Sequence, residues 1–385
     1  MIRLETPHTP ESVGYDSSRL ETLHGFFQKL MDRGLLRGAS YAAARDGKLF
    51  AAGALGRQSF RDEDQTPLRP DTIFRIASIT KLFTAAAVMT LVEDGIIRLD
   101  ESMRLYFPEM AEFPWNTIAQ VISHTGGIPA DPESYLPEEG KVNVFELIEK
   151  ELESGGGDWI SAALSAGAWS EPGTRWEYSS LSFMLLGELV TRVSGMDVHR
   201  YIEERLLAPC GMNDSGFWST IKKHPEIKSR LSVWDQEMED SLNNPDKPEG
   251  RWANVPATGG GLYSTVTDMV RFGSMLVNGG RIDGRRVMGR KTIEKMTSVH
   301  SELPCYCWGM PGVPRPYGLG PDMHLGDMFL CSRGTFYHEG WGWSRLSMDP
   351  KEKLVTAYFT PFVKPDQWDP LPVYNPQAIL NSGLI

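Results

Sequence analysis

Residues 78–91 read Ser78-Ile79-Thr80-Lys81-Leu82-Phe83-Thr84-Ala85-Ala86-Ala87-Val88-Met89-Thr90-Leu91, a serine and a lysine three apart at the head of a long apolar run. Apolar side chains nearly all round predict a helix buried in a core and closed by Glu93-Asp94-Gly95. On such a helix positions three apart share a face, so the amine can take the hydroxyl proton of the serine. Taken alone, the same pattern also describes a serine N-cap followed by a solvated lysine. The rest of the chain decides between them.

Working outward, Gly38 to Gly56 holds two apolar-rich segments joined by Arg45-Asp46-Gly47-Lys48, and an Asp-Gly pair in that position is a strong hairpin signal. A helix around Ser17 to Arg33 precedes it. From about Tyr106 to Val255 the pattern is helical and loop-rich, with helices expected at Val144–Leu152, Leu181–Val193 and Val198–Leu207. Strand-like runs return at Asp327–Cys331, Thr335–Glu339, Ser344–Met348 and Leu354–Phe359. The expected fold class is therefore α/β (α+β), an antiparallel sheet flanked by helices plus an all-α insertion lobe. The expected domains are a discontinuous sheet domain, 1–75 and 260–385, and a mainly helical domain, 76–259, carrying Ser78, Lys81 and Tyr178.

The 385 residues suffice for a large core. A formal net charge of -11, with no basic cluster longer than Lys222-Lys223 or Arg285-Arg286, argues against a nucleic-acid or anionic-membrane partner and for a small molecule. Four cysteines, at 210, 305, 307 and 331, are too few and too unevenly spaced for a disulfide framework, and Cys305-Tyr306-Cys307 lacks a second pair for zinc. They read as free thiols in a reducing compartment. No apolar run reaches membrane-spanning length, and the first residues, Met1-Ile2-Arg3-Leu4-Glu5-Thr6-Pro7, lack the apolar core of a signal peptide. A cytoplasmic protein is expected, although a chain whose leader had been removed would read the same way. Its oligomeric state is left open.

Two further motifs follow the serine and lysine: Trp176-Glu177-Tyr178-Ser179-Ser180 just before a helix, and His338-Glu339-Gly340-Trp341 on a late strand. In this order the trio resembles the serine β-lactamase and penicillin-binding protein superfamily, most closely class C β-lactamases and the family VIII carboxylesterases of that fold. Its signatures are Ser-x-x-Lys, Tyr-x-Asn (or Ser) and Lys/His-x-Gly. Val121-Ile122-Ser123-His124-Thr125-Gly126-Gly127 and Gly259-Gly260-Gly261-Leu262-Tyr263-Ser264-Thr265 are similar to further elements of the family, so the resemblance runs from about Gly14 to Phe359. It implies catalytic Ser78, Lys81 and Tyr178, an oxyanion hole from the backbone N–H groups of Ser78 and Trp341, and substrate contacts from Ser180, His338, Gly340, Trp341 and Trp343. It implies no metal and no organic cofactor.

The chemistry has its own physical demands. A lysine of reference pKa about 10.4 and a tyrosine near 10 are both protonated at neutral pH, so making either a base needs roughly 3 pH units, about 4 kcal/mol. Burial disfavours ammonium, and phenolate is favoured beside a cation, so the proton is assigned to a coupled Lys81/Tyr178 pair and not to one member. In the third motif His338, with a reference pKa of about 6.5, replaces the lysine of lactam-processing relatives, which weakens carboxylate recognition. Trp341, Trp343 and Tyr337 near the site would favour uncharged esters. Ser180 in place of asparagine loses a hydrogen-bonding amide that would touch Lys81 or a substrate amide, which lowers the expectation of peptide or lactam turnover. The Ser-Asp-Asn and Lys-Thr-Gly signatures of class A β-lactamases are both absent.

Blander readings hold elsewhere. His124, in a His-Thr-Gly-Gly turn, reads as structural and stays outside the catalytic set. His338-Glu339 does not open a zinc motif, because position 342 is Gly342. The triplets Gly155–Gly157 and Gly259–Gly261 read as turns or close packing, since neither is followed by Lys-Ser/Thr. The expected function is a serine hydrolase, a carboxylesterase acting on small uncharged esters through an acyl-enzyme. β-Lactamase, D-amino-acid peptidase or amidase, acyltransferase and a slowly acylating penicillin-binding sensor remain alternatives.

Overall fold

The computed structural model describes residues 1–132, 142–222, 224–233, 236–243, 252, 254–305, 307, 312–326, 329–342, 344–360 and 371–385. Its frame is a seven-stranded antiparallel sheet drawn from both ends of the chain. The strands are β1 (Ile2–Arg3), β2 (Gly38–Arg45), β3 (Lys48–Gly56), β4 (Asp322–Met323), β5 (Phe336–Gly340), β6 (Ser344–Asp349) and β7 (Leu354–Phe359), in spatial order β1-β3-β2-β7-β6-β5-β4. The Asp46-Gly47 turn closes the β2–β3 hairpin with both residues at positive φ, as a turn matching the twist of the strands requires. β2 then pairs with β7 from Ser40 opposite Phe359 to Arg45 opposite Leu354, which joins the two ends of the chain as the pattern predicts.

Alternation along the strands builds two cores. On one face Tyr41, Ala43, Leu354 and Tyr358 pack with Leu23 and Phe27 of α1 (Ser18–Asp32) and with Leu380. On the other face Ala42, Ala44, Leu346, Val355 and Ala357 join Phe83 of α2 (Thr80–Glu93) and Phe272 of α4 (Val266–Val277), the two phenyl rings stacking at 3.9 Å. Each buried valine, leucine or phenylalanine among them contributes about 1.5–3 kcal/mol. α4 presses close because Gly273 faces the sheet: a Cβ there would lie 2.4 Å from Val355 Cγ1.

α2 is buried along Thr80–Leu91, Lys81 included, as its apolar surround predicts. It packs against α3 (Ser180–Ser194), where Gly187 leaves room for Thr258. The sequence reading needs three corrections. Phe329–Cys331 form bends instead of a strand, residues 327 and 328 lying outside the described residues, and the edge position goes to β4. The middle of the chain is not purely helical, because Gly216–Phe217 pairs with Leu262–Ser264, which also pairs with Phe74–Arg75. Two-residue strands carry no periodicity to read. The helix expected over Val198–Leu207 forms, but widens to π geometry over Glu203–Leu207.

Candidate active site

Ser78 lies in a single 3₁₀ turn, Ala77–Ile79, that runs straight into α2. Ala77 holds φ at +46°, a left-handed conformation that costs a residue with a Cβ on the order of 1–2 kcal/mol, so the turn is under local strain. β5 lies against it: a Cβ on Gly340 would sit 2.4 Å from the Ile76 carbonyl oxygen, so the glycine of the late motif is what lets the strand reach the serine. Trp341, the next residue, has its side chain 59% exposed.

One helical turn along, the Lys81 amine donates to Ser78 Oγ at 3.1 Å, to Ser180 Oγ at 3.0 Å and to the Gly259 carbonyl at 2.8 Å. It has no solvent exposure, and burial pulls its pKa down to about 8 against the opposing charge of Asp131. Tyr178 hydrogen-bonds Ser78, and its ring centroid lies 4.6 Å from the Lys81 nitrogen. Burial, then the Asp131 charge, push the phenol well above its ordinary value, outweighing the Ser78 bond that lowers it. Desolvation and the Asp131 charge thus oppose the phenolate expected beside Lys81.

Ser180, which brings no amide, contacts Lys81 through its hydroxyl and donates to Asp131 Oδ2 at 2.7 Å. Asp131 Oδ1 accepts the Ser180 backbone N–H at 2.6 Å, an acidic group at the N-terminus of α3. Burial raises the Asp131 carboxyl, with Lys81 and Ser180 acting against it. Nothing in the sequence singled out Asp131: it lies 50 positions from Lys81, in a loop without periodicity.

His124 is tied into the backbone on both sides of Tyr178. Its Nδ1 accepts from the Ser179 backbone at 3.1 Å, its carbonyl accepts from Glu177 at 2.8 Å, and burial takes its pKa well below 6.5. Together with the Gly173 to Thr125 bond, these braces fix the Tyr178 segment. Cys305, Cys307 and Tyr317 pack with Trp176 and Tyr178 in one buried cluster, the Tyr317 ring also 5.2 Å from that of His124.

His338 is 2% exposed, with its ring 6.5 Å from that of Tyr178. Its Nδ1 lies 2.7 Å from the Glu339 carbonyl, and burial lowers its pKa to about 4, so it is neutral at pH 7. Arg315, whose charge acts on His338, is paired with Asp322 at 2.6 Å. Tyr337 is not near the site. Strand alternation turns it to the opposite face, under the Arg345 guanidinium at 3.8 Å and stacked on His324. Trp343 lies outside the described residues. Among the described residues no group of three His, Cys, Asp or Glu could hold a metal ion, and no helix is long and apolar enough to cross a membrane.

A large antiparallel sheet with helices on both faces and a Ser-x-x-Lys helix beside its late strands define a serine hydrolase fold of the β-lactamase and penicillin-binding protein type. The chain belongs to the Beta-lactamase family, whose sequence model matches residues 23–371. It is similar to a Salmonella typhi protein provisionally named a D-alanyl-D-alanine carboxypeptidase, 23% identical over 91% of this chain and 84% of that one. In structure it is similar to EstCE1, described as a hydrolase with promiscuous acyltransferase activity, at 19% identity and a TM-score of 0.73 over 95% of this chain and 99% of that one. A family VIII carboxylesterase superposes with a TM-score of 0.68 at 22% identity, over 94% and 98% of the two chains.

Proposed function

We propose that the chain hydrolyses small uncharged carboxylic esters through an acyl-enzyme on Ser78. The observation that carries this reading is the fully buried Lys81 amine, drawn towards neutrality and 3.1 Å from Ser78 Oγ. In the coupled pair, desolvation keeps the proton on Tyr178 and makes Lys81 the member that more readily gives one up. Lys81 then takes the Ser78 proton as the hydroxyl attacks the ester carbonyl, and the Tyr178 hydroxyl, beside Ser78, delivers a proton to the departing alcohol. Water reverses the roles to free the acid. The Ser78 and Trp341 backbone N–H groups are the oxyanion donors of this scheme, each contributing about 3 kcal/mol to the transition state.

The preference for uncharged esters rests on the charges around the cleft. His338 is neutral, the Arg315 guanidinium is committed to Asp322, and Trp341 offers an exposed apolar surface at the strand end. The carboxylesterase likeness points the same way. Purified protein should hydrolyse short-chain p-nitrophenyl esters, and a Ser78→Ala variant retaining full activity would end the proposal. The Salmonella relative and EstCE1 give peptidase and acyl-transfer readings some support. Simple esters with and without added alcohol, D-alanyl peptides and nitrocefin, compared on one preparation, separate them. A lasting mass adduct without product release would indicate a sensor.

A further inference from the structure

A neutral amine can serve as a base only if its lone pair faces the proton to be taken, and Lys81 has three polar neighbours competing for that direction: Ser78 Oγ, Ser180 Oγ and the Gly259 carbonyl. The carbonyl can only accept, so one N–H is fixed there. A serine hydroxyl can both donate and accept, so Ser180 left to rotate could give its proton to Lys81 and occupy the lone pair. Asp131 removes that freedom. Its carboxylate takes the Ser180 hydroxyl proton on Oδ2 at 2.7 Å while the Ser180 backbone N–H, on Oδ1 at 2.6 Å, locks the carboxylate plane. The Asp131 backbone is itself tied by its N–H to the Tyr178 carbonyl at 2.9 Å. With both neighbours reduced to acceptors, the two hydrogens of a neutral Lys81 are consumed, and the remaining direction is Ser78.

We infer that Asp131 is a positioning residue for nucleophile activation, aiming the Lys81 lone pair at Ser78 through the Ser180 hydroxyl. The inference rests on the Ser78 acyl-enzyme of the proposed function, and Asp131 itself touches none of the reacting atoms. An asparagine at 131 would present either an oxygen or an NH2 group to Ser180, so the hydroxyl could turn and cap Lys81. The other titratable groups facing this amine are Tyr178, whose ring centroid lies 4.6 Å from it, and His124 and His338, both of which its charge acts on. Asp131 supplies the charge that favours the ammonium form.

The test is the pH dependence of Ser78 labelling by a fluorophosphonate, followed by intact mass beside p-nitrophenyl ester hydrolysis. Asp131→Asn should lower the limiting labelling rate about tenfold or more, the scale of an impaired general base, and shift the acid limb of the profile to lower pH. A merely structural loss would lower the rate without moving the limb. In a Ser180→Ala background, Asp131→Asn should change the limiting rate less than about threefold, because the hydroxyl it acts through is gone. A wild-type profile for Asp131→Asn, or additive losses in the double variant, would overturn the inference. If Asp131→Asn does not fold, Asp131→Ala, which also frees the Ser180 hydroxyl, carries the test, and a wild-type labelling profile from that variant overturns it equally. Labelling of Ser78 without ester turnover would count against the ester reading alone, and the Asp131 comparison would still stand.

Discussion

At the scale of single residues, the site is governed by desolvation. Lys81 would hold a proton with a pKa of about 10.4 in water, and burial brings it to about 8. The neutral form, the competent base, therefore grows as pH rises, from roughly a tenth of the population at pH 7. The expected profile of kcat/KM for an uncharged ester rises with pH and levels above about 8, and a flat profile from about pH 6 to 9 would contradict Lys81 as the base. His338 titrates too low, at about 4, to produce that limb. His338→Lys should instead lower KM for nitrocefin, whose carboxylate would gain a cation, while an unchanged KM would undercut the argument from charge. Ser78, Lys81, Tyr178 and His338 were legible because each sits in a short pattern whose spacing has chemical meaning. Asp131 and its hold on the Ser180 hydroxyl were not, because what fixes a hydroxyl's rotor is a partner distant in sequence. The orientation of Tyr337 was available from its adjacency to His338, since neighbours on a strand point apart.

At the scale of elements, the site exists because a strand, a strained turn and two helix starts approach more closely than ordinary side chains permit. Gly340→Ala places a methyl 2.4 Å from the Ile76 carbonyl, so β5 must withdraw from Ser78. We expect about 1–3 kcal/mol lost in denaturant unfolding and at least about a tenfold fall in kcat/KM, since the change overpacks the contact and moves β5 away from Ser78. Full activity in that variant would detach β5 from the chemistry. Ser179 caps α3 by accepting the Ser182 N–H at 3.0 Å and also donates to the Pro129 carbonyl at 2.7 Å. Ser179→Ala should lower stability by about 1 kcal/mol and weaken the tie between the Asp131 loop and the Tyr178 segment. Longer helices and strands were readable from their period, whereas the two-residue strands arise only from what lies beside them.

At the scale of the whole molecule, the two ends of the chain close on each other. Tyr15 donates its hydroxyl to the Leu380 carbonyl at 2.8 Å, and the Ile385 N–H donates to the Gly14 carbonyl at 3.1 Å. Gly383 lies against the Tyr15 ring, where a Cβ would come within 2.3 Å of Cζ. Gly383→Ala should therefore lower the unfolding free energy by about 1–3 kcal/mol while leaving ester KM unchanged in the folded fraction, and an unaltered unfolding midpoint would contradict this closure. The shared sheet was legible from the order of strand-like and helical runs, because an apolar strand set at each end must bury its faces somewhere. The sheet's outermost members, β1 and β4, are only two residues long. A fibril grows when an open row of backbone donors and acceptors is long enough to template a visiting strand, and neither border of this sheet offers more than a foothold, so molecules crowded together have little means of zipping edge to edge.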